Sequence, residues 1–193
     1  MFFVKNIVKK VYNKVGSLRG KPVTVLSLSM KEDKKLSMDI NAVIDKIREL
    51  DTEMVVIEGA EIKNNGYLRD LCIGLTRIKK KVNFVTNGSD DIEVIRMHRN
   101  ILITFDCFPP TKSNPGISKR NLYLMKENDE VKFLINSYTD FEKCLTVLQH
   151  NVILRPIVYF VVTNSVSPED KEEMLKTYLS FYNRIKTDLR LIY

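Results

Sequence analysis

Two histidines, three cysteines and a few carboxylates beside apolar runs are the side chains of this 193-residue sequence with the means for metal, nucleophilic or acid–base chemistry. Metal centres gather donors at short spacings, two to four residues apart. His98 and His150 each lack a histidine two or four positions on, and Cys72, Cys107 and Cys144 lie 35 and 37 residues apart. Glu58, Glu61 and Asp106 follow apolar runs where carboxylates can converge, although isolated acidic residues there more often cap loops. There is no phosphate-binding P-loop, no dinucleotide glycine fingerprint and no nucleophile elbow. The expectation is a chain without catalytic residues, metal ligands or cofactor, whose cysteines are reduced and, for Cys72 and Cys144, buried on apolar helix faces.

The elements that must hold any site follow from hydrophobic period. The stretch VNFVTNGSDDIEVIRMHRNILITFDCFPPTKSNPG, residues 82–116, places one apolar run before Asn87-Gly88, a short helix with Val94, Ile95 and Arg96, a second apolar run, and a proline-rich basic loop. Strands separated by a helix run parallel, because a tight turn cannot return the chain in the same direction. Repeats of that unit predict parallel strands at 23–28, 54–58, 82–86, 100–105, 130–135 and 157–163, with a last strand at 189–193. A helix is expected from Ile7, its apolar positions 7, 8, 11, 12 and 15 set opposite Lys9, Lys10 and Lys14, after a very short strand at 2–4. Ser37 is expected to cap a helix striped by Ile40, Val43, Ile44, Ile47 and Leu50. Leu68, Leu71, Leu75 and Ile78 mark the next helix, and Ser118 begins a short one ending at Met125. Thr139 and Glu142 form a capping box, and Ser167-Pro168 open the last helix.

Up to eight strands and seven helices result, and the fold class expected is α/β: a small TIM-like (β/α) barrel, closed or incomplete, with parallel strands and outer helices, forming a single domain over residues 1–193. Functional loops then lie at the carboxyl ends of the strands. No apolar run reaches the roughly 20 residues of a membrane span, and the N-terminus lacks a secretory pattern, so a cytoplasmic location is expected.

Charge is unevenly spread. Nine of the 31 basic residues but only two of the 24 acidic ones precede residue 36, so this segment carries the entire net charge of +7. A one-sided basic field suits a polyanion.

Two family resemblances follow from these segments. Leu68-Arg69-Asp70, Lys79, Lys80 and Lys81, the run from Val85 to Asp90, Ile95-Arg96, the strand at 101–105 and the basic loop with Gly116-Ile117 are similar to protein component 3, the barrel subunit of archaeal ribonuclease P. Pro115 and Ser118, flanking that Gly-Ile pair, depart from the family's pattern. The resemblance implies a non-catalytic barrel serving an RNA enzyme that removes the 5′ leader of precursor tRNA. Its implied partners are ribonuclease P RNA, precursor tRNA and another protein subunit, with no membrane. The basic residues expected at RNA are Lys9, Lys10, Lys14, Lys79, Lys80, Lys81, Arg96, Arg99, Lys112, Lys119 and Arg120. The second resemblance is to radical S-adenosylmethionine proteins of the 7-carboxy-7-deazaguanine synthase type. GKPVTVLSL, VVIEGAEI where that family has a Gly-Gly-Glu-Pro turn, VNFVTNGS and DEVKFLI carry it. That chemistry holds an iron–sulfur cluster on three closely spaced cysteines, whereas SMKEDKK follows Leu28 and no cysteine precedes Cys72. This second resemblance implies a cluster-free, non-catalytic interaction barrel.

Overall fold

A computed structural model of the chain describes residues 2–29, 34–59, 66–96, 100–111, 116–149, 155–182 and 188–193. Its residues gather into two compact units, Met1–Thr86 with Asp90–Ile103, and Asn87–Ser89 with Thr104–Tyr193.

In the first unit, β1 (Phe2–Val11) and β2 (Pro22–Leu28) form an antiparallel pair, and β3 (Ser37–Met38) adds antiparallel to the start of β1. Beyond them the ladder turns parallel: β4 (Met54–Glu58) lies beside β2, and β5 (Lys81–Thr86) beside β4. The crossovers are α1 (Ile40–Arg48) and α2 (Gly66–Arg77), and the short α3 (Glu93–Arg96) precedes β6 (Ile101–Cys107).

Alternation along the strands sorts this unit into two faces. The register joins Ile7, Leu26, Ile57 and Phe84 in one row. Tyr12, Leu18, Val23, Val25, Val56 and Val85 cluster on the other side, with Val8 and Met54 against them. α1 and α2 bury Val43, Ile44 and Ile47, and Leu68, Leu71, Cys72 and Leu75. The two helices pack so closely that a Cβ on Gly74 would strike the Ile44 side chain.

The second unit is parallel throughout. β6 pairs from Thr104 with β7 (Glu130–Ile135), β7 with β8 (Ile157–Val162), and β8 with β9 (Leu189–Ile192). α4 (Lys119–Leu124), α5 (Tyr138–Gln149) and α6 (Pro168–Tyr182) complete it. Phe160 forms the centre of its core, 6.0 Å from the Phe133 ring, 5.0 Å from Phe141 of α5 and 6.4 Å from Tyr178 of α6. The turn at Asn87–Ser89 is fastened here: the Asn121 side-chain amide donates to the Gly88 carbonyl at 2.8 Å and the Cys107 thiol to that of Asn87 at 3.2 Å.

The architecture is therefore the expected α/β class, with mostly parallel strands, and hydrogen bonds among the described residues do not close it into a barrel. Nine strands and six α-helices are present among the described residues. The expected parallel strands are all present, as are the helix starts at Ser118 and Ser167-Pro168: Ser118 Oγ accepts from Asn121 N–H and Ser167 Oγ from Asp170 N–H, each at 3.1 Å.

Three local expectations are corrected. Residues 7–15 form no helix, because β1 runs through Val11 and carries a register shift between Val4 and Asn6. Beyond the shift both faces of the strand carry apolar residues, Ile7 and Val11 opposite Leu26 and Pro22 and Val8 and Tyr12 in the cluster with Val25, so positions 7, 8, 11 and 12 imitate a helical step. Ser37 belongs to β3, and Asp39 caps α1 by accepting from Ala42 N–H at 3.0 Å. α5 is capped by Ser137, which accepts from Asp140 N–H at 3.2 Å, leaving Thr139 and Glu142 inside the helix.

α2 closes in a Schellman turn: Lys80 N–H reaches the Leu75 carbonyl at 3.1 Å and Lys79 N–H that of Thr76 at 3.0 Å. Lys79 thus adopts φ +62°, a left-handed conformation that glycine takes without strain. Lys79→Gly is expected to raise stability by roughly 0.5–1 kcal/mol, as a higher urea midpoint with an unchanged slope.

Candidate binding faces

The polar residues concentrate on the strand faces turned away from the helix-side rows. In the first unit, Ser27 and Glu58 are register partners at the carboxyl ends of β2 and β4. Glu58 accepts from Lys14 Nζ at 2.9 Å and from Ser27 Oγ at 3.2 Å. Burial works to raise the Glu58 carboxyl pKa, but the hydrogen bonds from Lys14 and Ser27 and the positive charges of Lys14 and Lys10 outweigh it, leaving it below its ordinary value. Gly59 follows in the left-handed region at φ +80°, and a Cβ there would lie 2.5 Å from the Leu28 carbonyl oxygen. Only glycine fits that close crossing of two strand ends.

A second polar set runs across four parallel strands of the other unit. Register makes Asp106, Lys132, Tyr159 and Arg190 neighbours in one row. Lys132 and Glu130 are 7% and 4% exposed at their side chains, and Lys132 Nζ lies 3.2 Å from Glu130 and 4.0 Å from Asp106. Arg190 uses its whole fork: Nε and one terminal nitrogen bond the Asp188 carboxylate at 3.2 and 2.7 Å, and the other donates to the Tyr159 hydroxyl at 3.2 Å. Its guanidinium also stacks 5.4 Å from the Tyr159 ring centre. Burial, then the Glu130 charge, pushes the Tyr159 phenol up, and the Asp188 hydrogen bond pushes Arg190 up.

This charged row escaped sequence reasoning. Glu130, Lys132 and Arg190 each belong to an otherwise apolar strand, and the signal was the i, i+2 spacing of Glu130 and Lys132 in EVKFLI and the lone arginine of LRLI. Of the carboxylates expected to converge, Glu58 and Asp106 belong to different units, and Glu61 lies outside the described residues. His98 and His150 also lie outside them. Among the described residues no three His, Cys, Asp or Glu side chains are grouped to hold a metal ion.

The basic residues expected at RNA are dispersed and partly committed elsewhere. Lys9 and Lys10 are exposed on opposite faces of β1, and Lys14 is bound to Glu58 in the turn beyond it. Lys79 closes α2, Lys80 Nζ donates to the Leu50 and Thr52 carbonyls at 2.8 and 2.7 Å, and Lys81 pairs with Glu53. Arg96 is buried and donates to the Ile101 carbonyl at 3.3 Å. Lys119 and Arg120 are exposed in the first turn of α4, while Arg99 and Lys112 lie outside the described residues.

An iron–sulfur cluster needs accessible thiolates, and the three thiols do not fit one. Each is buried. Burial pushes the Cys72 thiol on α2 up to about 12. Burial, then the nearby Asp106 charge, raises Cys107, and burial followed by Asp140 raises Cys144.

No protein-family model matches the chain. It is 28% identical over 169 residues to the 7-carboxy-7-deazaguanine synthase of Leptospira interrogans, an alignment covering 79% of this chain and 69% of that protein. Streptococcus suis SuiB has a similar fold, with a TM-score of 0.52 at 14% identity over 80% of this chain. The chain spans 43% of SuiB's length. These similarities overturn the ribonuclease P reading, together with the tRNA-processing, RNA-binding and ribonucleoprotein roles attached to it. The segments that suggested it have structural duties: Arg69 and Asp70 pair on the surface, Lys79 and Lys80 close a helix, and Ile95 and Arg96 are buried. No helix among the described residues is long and apolar enough to cross a membrane.

Two outcomes check these networks. Lys132→Met is expected to destabilise the protein by about 3 kcal/mol in urea unfolding, since it leaves two carboxylates without their buried cation. Lys14→Met is expected to raise the Glu58 carboxyl pKa, measured by NMR titration, and to cost no more than about 1 kcal/mol because the pair is partly exposed. A depressed carboxyl pKa contributes stability above the unfolded value, near 4.5, and loses it as pH falls through the folded one. The variant's deficit should therefore be full at neutral pH and vanish in acid.

Proposed function

We propose that this chain is a cluster-free relative of the 7-carboxy-7-deazaguanine synthase-type barrels, retaining their α/β scaffold while acting as a non-catalytic interaction protein. The observation that carries this reading is the state of its sulfur. Every cysteine of the sequence is buried with its thiol held protonated, and the strand end at Leu28 is followed by SMKEDKK. A radical enzyme of this type needs three thiolates together on a cluster.

The scaffold supports the kinship independently of the chemistry. Val55–Glu58 of VVIEGAEI lie in β4, and Gly59 after them is sterically required by the Leu28 carbonyl. At the same end, the carboxylate of Glu58 is engaged by Ser27 and Lys14. The chain can thus keep the glycine-dependent crossing of its strand ends without the sulfur ligands.

Anaerobic reconstitution of the purified chain with ferrous iron and sulfide tests the reading, followed by iron and sulfide analysis and calorimetry with S-adenosylmethionine. The expected result is no stoichiometric iron and no charge-transfer absorption. A stoichiometric cluster that disappears on replacing any one of Cys72, Cys107 or Cys144 by Ser would refute the proposal.

A further inference from the structure

The strand β9 and the helix above it both lack a neighbour on the same side. β9 is the last strand of its ladder, and among the described residues no strand pairs with its outer edge. The Asp188 carbonyl accepts from Val158 N–H of β8 at 2.8 Å. Backbone groups alternate in direction along a strand, so Arg190 and Ile192 also face β8, while Leu189 and Leu191 turn outward. The Leu189 carbonyl is taken by the Tyr178 hydroxyl at 2.6 Å. Leu191 therefore holds both its N–H and its carbonyl to the open edge, with its side chain half-buried beside Phe160.

α6 repeats the pattern one layer up. Met174 and Phe181 are buried beneath it, and on one flank Thr177 meets α5, its hydroxyl 3.0 Å from that of Tyr138. At about 100° per residue, Leu175, Leu179 and Tyr182 lie across the helix from Thr177, and they are 41%, 54% and 47% exposed. Glu169, Asp170 and Glu173 fall on the Thr177 side by the same spacing. The apolar flank is bordered by Lys171 and by Glu172 and Lys176, which pair at 2.9 Å.

We propose that β9 and α6 together form a two-fold interface with a second copy of this chain, β9 pairing antiparallel with its counterpart through Leu191 and the apolar flanks of α6 meeting above. The joint vacancy selects the occupant. A helix flank alone would accept many partners, but this one stands over an unpaired strand, so what covers it must bring a strand and a helix at the spacing of β9 and α6. A second copy does so by identity. With strands about 4.8 Å apart and α6 seated over β8 and β9, the two helices come about 10 Å apart, a packing distance. Tyr178 lies beside Leu189 and Lys171 beside Tyr193, so an axis through Leu191 passes near Leu175. Leu175 then meets its own counterpart. The antiparallel run carries Lys176 of each copy to the level of Glu173 in the other and sets Arg190 opposite Ile192, which keeps these charges from meeting their like. The association is independent of any catalytic or cluster-binding role.

The light-scattering mass of the full chain is expected to rise with concentration from 22.4 kDa to twice that value and no further, because a two-fold contact closes on itself. Leu175→Glu and Leu175→Lys, each of which sets like charges across the axis, are expected to stay at one copy, and an equimolar mixture of the two to form dimers again. Circular dichroism verifies that both variants fold. Hydrogen exchange needs no variant: the Leu191 amide should exchange about tenfold more slowly, or slower still, once the dimer forms. A single-copy mass at every concentration, growth beyond two copies, a dimer of either charged variant alone, a mixture that stays at one copy, or Leu191 exchange indifferent to concentration would overturn the proposal.

Discussion

A strand shows alternate residues to two surroundings, and everything functional in this molecule depends on that division. In the second unit, Phe133 and Phe160 join the aromatic core with α5 and α6, while their immediate neighbours Lys132 and Tyr159 lie in the charged row. A slip of one residue would carry Lys132 and Glu130 into the aromatic core and Phe133 onto the polar face. The apolar contacts of one face therefore hold the register that assembles the other.

The charged row is costly to maintain. Ionised groups buried as deeply as Lys132 and Glu130 lose hydration worth several kcal/mol each, which attraction between them offsets only when geometry and further hydrogen bonds are good. Arg190, at the other end of the row, is half exposed and escapes that cost, with three nitrogens engaged by Asp188 and Tyr159 and a ring beneath it. The Glu58 cluster differs from the Lys132–Glu130 pair, because Lys14 remains half in water and screening limits what the pair contributes. A row that is buried at Lys132 and Tyr159 and open at Asp106 and Arg190 in one unit, and a partly solvated ion pair in the other, are the chemical features that the strand faces offer to a ligand or partner.

Likeness to the Leptospira synthase and the absence of suitably placed thiolates are compatible once scaffold and chemistry are separated. A fold supports many activities, and a site depends on particular side chains. Gly59 is required for a steric reason local to this chain, its approach to the Leu28 carbonyl, which is independent of any chemistry. The cysteines instead behave as small core residues, packed into α2, α5 and the end of β6.

The sequence by itself determined the α/β class, the parallel strands and most helices, because hydrophobic period and turn residues are properties of neighbours along the chain. The Ser118 and Ser167 caps were legible for the same reason. The residues after Leu28 likewise showed the missing sulfur ligands without any structure. Tertiary structure decided what neighbours could not encode. Pairing with β2 made a strand of the apparent helix at the start of the chain, outweighing a local period. Lys80 became a cap for distant carbonyls and Arg96 a buried donor, where composition had suggested a solvated basic surface. The row of Asp106, Lys132, Tyr159 and Arg190 exists only through register among four strands far apart in sequence, and register is set by long-range packing that no local pattern contains.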